Sequence, residues 1–201
     1  MARGRQEGET VGVYLDQSAA KTRTVIVTGA PGAGKSSVSR GLAARLPRAA
    51  RISADDLHAM IVSGGVWPLG RPRSEAVRQV DLCHRQIGVI TTEFAAAGFD
   101  TVIDCVLPDG AHLEQLLRQL PPTTTSLVVL APGGAVCRAR NEGRPAEERF
   151  DFDDHVSLDA SMQEGFGDRG WWLDTGELGL EATIQLISHG VLDGELGRLR
   201  E

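Results

Sequence analysis

The chain has 201 residues, and 41% of them are hydrophobic, which is enough for the core of one ordinary domain but few for two. It carries 21 basic and 27 acidic residues, a formal net charge of -6 that argues against binding nucleic acid or anionic membrane through bulk positive charge. No apolar run is long enough for a membrane span, and residues 1–21 lack the apolar segment of a secretory signal. A single-domain cytoplasmic protein is expected.

Residues 1–21 are polar and Gly-rich and predict a flexible N-terminal arm. Residues 24–28 form the β-branched apolar run of a buried parallel strand, and residues 35–46 place apolar side chains at helical spacing. The same patterns predict further strands at 50–53, 101–107, 127–130 and 171–173, and helices from 55 or 56 to 62, then at 74–97, 111–120, 134–141 and 180–188.

Strands that alternate with helices predict an α/β fold, a mostly parallel five-stranded sheet with helices on both faces. The predicted domain covers residues 22–190, and residues 191–201 are expected to form a C-terminal tail. The three cysteines, Cys83, Cys105 and Cys137, are far apart and form no C-x-x-C pair. They predict neither a disulfide framework nor a zinc site, and we expect them to be small buried or half-buried hydrophobes.

The strongest signal is a glycine-rich turn between the first strand and the first helix, which satisfies G-x-x-x-x-G-K-[ST]. In that context the backbone N–H groups and the helix N-terminus surround a polyphosphate, so the turn predicts an ATP or GTP site. The predicted nucleotide-binding residues are Gly29, Ala30, Pro31, Gly32, Ala33, Gly34, Lys35, Ser36 and Ser37. Lys35 is expected to contact the β- and γ-phosphates, and the Ser36 hydroxyl to coordinate Mg²⁺.

A second set of candidates lies where the predicted strands end. Asp55 follows the second strand at the same sheet edge as the glycine loop, which suits a general base that accepts the proton of an acceptor hydroxyl. The alternative is that Asp55 or Asp56 only caps the following helix. Asp104 is a lone acid in an apolar strand, so it needs a cation or a hydrogen-bond network and is a candidate Mg²⁺ partner or acceptor ligand. Asp109 is more typical of a helix N-cap.

Residues 138–149 concentrate four arginines in an acidic chain. Arg138 and Arg140 are the leading candidates for a lid that neutralises charge during phosphoryl transfer and excludes water. The alternative is a solvated helix end whose arginines pair with neighbouring glutamates. The Gly- and Pro-rich loop at 63–73 is expected to wall an acceptor pocket, where Trp67 either stacks on a substrate ring or anchors the loop. His58, one helical turn after Asp55, either points into that pocket or lies on the surface.

With these motifs the chain resembles the small P-loop kinases, and most closely the chloramphenicol phosphotransferase-like group. The matching stretches are VIVTGAPGAGKSSVSRGL, SADDLHAM, TVIDCVL and WWLDTGEL, spread over most of the domain. The resemblance implies a P-loop NTPase fold with an Arg-rich lid. It implies these roles: Asp55 as base, Asp104 as the acid of the third strand, Arg138 and Arg140 in the lid, and Asp174 and Thr175 beside the nucleotide base.

The resemblance implies an ATP- and Mg²⁺-dependent phosphotransferase for a hydroxyl of a small molecule, such as an antibiotic, a nucleoside-like natural product or a sugar. The expected acceptor contacts are Asp55, Asp56, His58, Trp67 and Asp104. A nucleotide or polynucleotide kinase is an alternative, although His58 stands where polynucleotide kinases carry an arginine. A different class is a nucleotide-dependent regulatory protein that hydrolyses slowly and acts through a partner. The region 57–85 matches least and leaves the acceptor open.

Overall fold

The structure is a computed structural model that describes residues 22–192 and 196–199, so the predicted arm at 1–21 lies outside the described residues. The strands are β1 (Arg23–Gly29), β2 (Ala49–Ser53), β3 (Asp100–Asp104), β4 (Thr124–Leu130) and β5 (Trp171–Leu173). The helices are α1 (Lys35–Ala43), α2 (Ala54–Ala59), α3 (Arg73–Ala96), α4 (Gly110–Leu117), α5 (Gly134–Glu142), α6 (His155–Phe166) and α7 (Leu180–Leu192), with a short 3₁₀ helix at Ala146–Glu148.

The five strands form one parallel sheet in the order β2-β3-β1-β4-β5, which confirms the predicted fold class. Successive β1 side chains alternate between two cores, as the period of a strand requires. Val25 and Val27 pack with α1 and α7, whereas Ile26 packs with α3, α4 and α6. Because all strands run the same way, the turn after β1, helix α2 after β2 and the end of β3 meet at one edge of the sheet.

The structure corrects several predicted boundaries. Strand β3 ends at Asp104 rather than at residue 107. Helix α6 was not predicted, because it buries few large apolar side chains, chiefly Met162 and Phe166, among polar residues. Helix α7 runs to Leu192, and residues 197–199 bond to the start of β4, through Leu127 N–H to Gly197 O and Leu199 N–H to Thr125 O. Part of the predicted tail therefore packs on the domain.

The three cysteines are buried free thiols, as predicted. Burial raises the pKa of the Cys83 thiol to about 11 and also raises that of Cys105. Such thiols are protonated near neutral pH and behave as hydrophobes. Among the helices of the described residues, none combines the length and the apolar character needed to cross a lipid bilayer.

Candidate active site

The loop between β1 and α1 adopts a backbone that only glycine accepts readily at three positions. Gly29, Gly32 and Gly34 have φ values of 144°, 86° and 99°, in the left-handed range. A Cβ on Gly32 would lie 2.5 Å from the carbonyl oxygen of Cys137, because α5 packs directly against the loop. Gly34 occupies the N-cap of α1, so the free N–H groups of that helix open onto the loop. This geometry suits an anionic phosphate.

Lys35 and Ser36, the first two residues of α1, are placed as the motif predicts. The Lys35 ammonium donates a hydrogen bond across the loop to the Ala30 carbonyl oxygen at 3.1 Å. Burial lowers the pKa of Lys35, and the nearby carboxylates of Asp104 and Asp55 partly oppose that shift. Ser36 is exposed. A phosphate that enters the loop therefore meets a partly desolvated cation, whose attraction for an anion is stronger than in water.

Asp55 lies in the first turn of α2, and the helix is capped by another residue. The Ser53 hydroxyl accepts the Asp56 N–H at 3.2 Å, so the expectation that Asp55 or Asp56 is the cap is wrong. Asp56 pairs with Arg51 at 3.3 Å, whereas the exposed Asp55 carboxylate makes no hydrogen bond or ion pair with any other described residue. Asp55 is thus a free carboxylate close enough to Lys35 to influence its pKa.

Asp104, at the end of β3, has the cation that its buried position requires. Its side chain is 4% exposed, and its Oδ2 accepts a hydrogen bond from Arg51 Nη2 at 2.6 Å and one from Ser39 Oγ at 3.3 Å. Arg51 Nε also donates to Ser39 Oγ at 2.9 Å, which closes a triangle among β2, β3 and α1. The sequence predicted that Asp104 needs a partner but did not identify Arg51.

The edge of the sheet beside the phosphate loop carries side-chain oxygen atoms that could serve as ligands of a magnesium ion. Within the described part of the chain, the Ser36 hydroxyl makes no hydrogen bond, and both protein hydrogen bonds to Asp104 fall on Oδ2, leaving Oδ1 without a partner. Mg²⁺ prefers hard oxygen ligands and is usually held by one or two protein groups together with phosphates and waters. Ser36 and Asp104 would hold it here, and the ion would neutralise phosphate charge.

The Arg-rich segment begins at the phosphate loop. Arg140, half-buried near the end of α5, donates from Nη1 to the Ala33 carbonyl oxygen and from Nη2 to the Thr175 carbonyl oxygen, each at 3.0 Å. Arg138, on the same helix, is exposed. Thr175 is buried, and Asp174 accepts the Gly176 N–H at 2.8 Å. Arg140 therefore connects the phosphate loop to the turn after β5.

A second contact with the phosphate loop comes from a residue that sequence reasoning missed. His155, buried at the start of α6, donates from Nε2 to the Pro31 carbonyl oxygen at 3.1 Å. The Phe152 ring meets it edge-on at 4.8 Å between centroids. The residues between Arg140 and His155, which include most of the Arg-rich segment, are thus fastened at both ends to loop carbonyls. The signal in the sequence was a histidine after an acidic stretch, and this pattern by itself does not predict a contact with the phosphate loop.

The expected acceptor side is fastened to α3. Gln79, buried on that helix, accepts the Val66 N–H and donates to the Gly64 carbonyl oxygen, both at 2.8 Å. Its amide thereby fixes the loop that carries Trp67, whose side chain is 56% exposed rather than anchored in the core. His58 is half-buried. Asp109 accepts the His112 N–H at 2.9 Å and caps α4, as predicted.

Known proteins share this fold. A family model described as an AAA domain, AAA_33, matches residues 25–164, more than half of the chain. Solved structures resemble it at low identity. A sugar kinase from Janibacter sp. HTCC2649 superposes with a TM-score of 0.61 at 23% identity, covering 86% of this chain and 95% of that one. APS kinase CysC of Mycobacterium tuberculosis, solved with AMPPNP and APS, gives 0.62 at 17% identity, covering 87% and 99%.

The Deinococcus radiodurans tunicamycin resistance protein gives a TM-score of 0.61 at 15% identity, covering 90% of this chain and all of that one. No curated protein matches the sequence. At these identities the likeness shows the fold alone, and it leaves both the activity and the acceptor open.

Proposed function

Since the chain belongs to the AAA_33 family of AAA domains, we propose that it is an ATP- and Mg²⁺-dependent kinase that phosphorylates a hydroxyl of a small molecule. The observation that carries the proposal is the placement of Asp55. This carboxylate has no partner among the described residues, lies at the same sheet edge as the phosphate loop, and is near enough to Lys35 to affect its pKa. A general base needs a carboxylate that has no other hydrogen-bond partner and that lies close to the transferred phosphoryl group.

The proposed transfer step uses Asp55, Lys35 and the two arginines of α5. Asp55 accepts the proton of the acceptor hydroxyl while that oxygen attacks the γ-phosphorus, and the bond from phosphorus to the bridging oxygen breaks to leave ADP. Lys35 and Arg140, which both bond to carbonyls of the phosphate loop, offset the charge on the transferred group, and the exposed Arg138 of the same helix adds to this effect. Ser36 and Asp104 would hold Mg²⁺, which would supply further charge compensation on the phosphates.

Helix α3 sets the spacing between Asp55 and the acceptor loop, which is formed by residues 60–72 between α2 and α3. Cys83 donates to the Ala54 carbonyl oxygen at 3.7 Å, directly before Asp55, and Gln79 holds the backbone directly before Trp67. These two α3 residues are four positions apart on one helix face, a rise of about 6 Å. A molecule of modest size therefore reaches from a hydroxyl at Asp55 to the loop of Trp67.

The acceptor loop exposes apolar side chains, which favours an acceptor with an apolar or aromatic body. Met60 is 67% exposed, Trp67 56% and Leu69 61%. Clustered exposure of this kind often marks a ligand contact, and an aromatic ring offers a stacking surface. An antibiotic or nucleoside-like natural product fits this wall better than a free sugar does. The narrower resemblance to the chloramphenicol phosphotransferase-like group stays a prediction.

The experiment is mass spectrometry of hydroxylated antibiotics, nucleosides, sugars and short oligonucleotides after incubation with the protein, Mg²⁺ and ATP. We expect one class of compound to gain a single phosphoryl group. Asp55→Asn should abolish that gain and leave ATP binding near normal. Asp168→Asn is the matched control, because Asp168 is an exposed carboxylate before β5, at the opposite edge of the sheet.

Each outcome has a defined meaning. Full transfer by Asp55→Asn would remove Asp55 from the mechanism. Phosphorylation of oligonucleotides or nucleotides alone would replace the small-molecule proposal by a nucleotide or polynucleotide kinase. A third outcome is ATP hydrolysis that does not respond to any acceptor. If a protein partner stimulates that hydrolysis, the result would instead support a regulatory protein.

A further inference from the structure

The ion pair between Arg51 and Asp104 lies directly behind the phosphate loop. Asp104 is 4% exposed and the Arg51 side chain 17% exposed, so both charges are largely removed from water. Their contact at 2.6 Å is supported by Ser39, which donates to Asp104 and accepts from Arg51. A buried carboxylate demands a cation, and Arg51 satisfies that demand from β2.

A second cation lies within the influence of the same carboxylate. Lys35 and Ser39 lie four positions apart on one face of α1, and Ser39 donates to Asp104, so the Lys35 side chain starts beside the same carboxylate. Yet the Lys35 ammonium bonds to the Ala30 carbonyl oxygen, and no described ion pair joins it to Asp104. Lysine is a flexible point charge that readily changes partner, whereas the planar guanidinium of arginine holds a fixed geometry.

We propose that Arg51 occupies Asp104 so that Lys35 stays free to bind the phosphates of the nucleotide. Arg51 is therefore a positioning residue that acts through Asp104 and contacts neither phosphate nor acceptor. The inference deepens the proposed function, since it rests on phosphate binding by Lys35, but it is independent of the acceptor. Its contact with the exposed Asp56 is incidental, because an exposed ion pair contributes little.

The chemical reason is competition for one cation. Without Arg51, Asp104 is a buried charge that no cation neutralises, a costly state that movement of the Lys35 ammonium toward it relieves. ATP then has to break a lysine–carboxylate pair before Lys35 contacts its phosphates. The loss of affinity should disappear when Asp104 is neutral, because no carboxylate remains to capture Lys35.

The test is isothermal titration calorimetry with ATP in EDTA, which keeps any Mg²⁺ role of Asp104 out of the measurement. We expect Arg51→Met to weaken ATP binding about tenfold or more, because ATP must first break the ion pair between Lys35 and Asp104. The variants D104N and R51M/D104N should bind ATP equally, within about twofold, and Arg51→Lys should restore most of the affinity by supplying a cation. Arg48→Met is the matched control, because exposed Arg48 packs over the Phe99 ring, away from the phosphate loop.

A purely structural role for Arg51 predicts a different pattern. If Arg51 is only structural, Arg51→Met should have a lower thermal midpoint, and the added D104N substitution should not restore the ATP affinity of the double variant. Unchanged affinity of folded Arg51→Met, or a double variant that stays about tenfold weaker than D104N, would overturn the proposal. If Arg51→Met does not fold, Arg51→Gln, which also lacks the cation, replaces it in every comparison, with and without D104N.

The unmodified protein separates this inference from the proposed function. If it does not bind ATP, the kinase proposal fails at its first step. If it binds ATP and the Arg51 variants behave like Arg48→Met, the kinase proposal stands and the role of Arg51 is rejected.

Discussion

The phosphate end and the acceptor end of the site are built differently. The phosphate loop is held by backbone packing against α5 and by side chains that bond to its carbonyls, His155 to Pro31 and Arg140 to Ala33. The acceptor loop at 60–72 rests mainly on one buried amide, that of Gln79, and presents exposed apolar side chains.

Under the proposed function, the difference follows from what each end would bind. A triphosphate carries the same groups and charge in ATP and in GTP, so a rigid loop prepared for it loses little entropy on binding. Acceptors differ among kinases of this fold, and a loop fastened at few points changes without disturbing the sheet. Variants at the phosphate end should therefore impair turnover with every acceptor, whereas variants at the acceptor end should impair turnover with one acceptor.

The largest effect is expected for Lys35→Ala. Loss of the ammonium should lower ATP turnover about a hundredfold or more, because it removes charge compensation that acts in a partly desolvated site. The thermal midpoint should not fall, since burial disfavours the Lys35 charge, as its lowered pKa indicates. Steady-state kinetics and thermal unfolding measure both quantities, and unimpaired turnover would disprove the phosphate-loop assignment.

Gly32→Ala should produce the next largest effect. Its Cβ would lie 2.5 Å from the Cys137 carbonyl oxygen, so either the loop or α5 has to move. We expect ATP affinity to fall at least about tenfold, as for a misplaced binding group. Gly98→Ala is the control, because Gly98 also has a positive φ, 75°, but nothing lies within 4 Å of the added Cβ. Equal ATP affinity of the two variants would show that the clash with α5 is unimportant.

Gln79→Leu should affect the acceptor end alone. Loss of the amide releases the backbone at Gly64 and Val66, so the acceptor KM should rise about tenfold through lost preorganisation while the KM for ATP stays unchanged. Gln86→Leu is the matched control, since Gln86 lies on the same helix and its amide makes no hydrogen bond within the described residues. The kinetics need the acceptor found by mass spectrometry. A parallel rise in the KM for ATP would contradict the separation of the two ends.

The smallest effect concerns His84, which lies on α3 beyond Gln79. Burial lowers the pKa of His84 below its ordinary value of 6.5. The unfolded chain then binds a proton at higher pH than the folded chain, so the free energy of unfolding should be highest above about pH 6.5 and should fall as the pH drops through the folded pKa. In urea titrations at several pH values, His84→Gln should flatten this dependence. An unchanged slope would show that His84 does not contribute.

The sequence was most informative where chemistry fixes residue types at fixed spacing. Glycines at 29, 32 and 34, followed by Lys35 and Ser36, predicted the phosphate loop because few other sequences accept its backbone. Asp104 was predicted to need a cation because a lone carboxylate in an apolar strand is costly. The candidate site residues Asp55, Arg138 and Arg140 stay predictions until variants are measured.

Other features depended on contacts that sequence patterns do not encode. Helix α6 and its His155 were missed, because a mostly polar helix has a weak periodic signal even when it packs on the core. Gln79 gave no signal at all, since a glutamine that binds a distant loop looks like any glutamine on a helix surface. The alternative that Asp55 or Asp56 caps α2 was wrong, because Ser53, two positions before Asp55, is an equally good cap former.

By itself the sequence determined the α/β class, the phosphate loop and the need for charge compensation at Asp104, because these follow from local periodicity, backbone sterics and the cost of burying a charge. Only the tertiary structure decided which cation meets Asp104, which side chains hold the loop carbonyls, and which face of α3 joins Asp55 to Trp67. Those choices join residues far apart in the chain, as Arg51 and Asp104 are, and only the order and register of the strands bring such residues together.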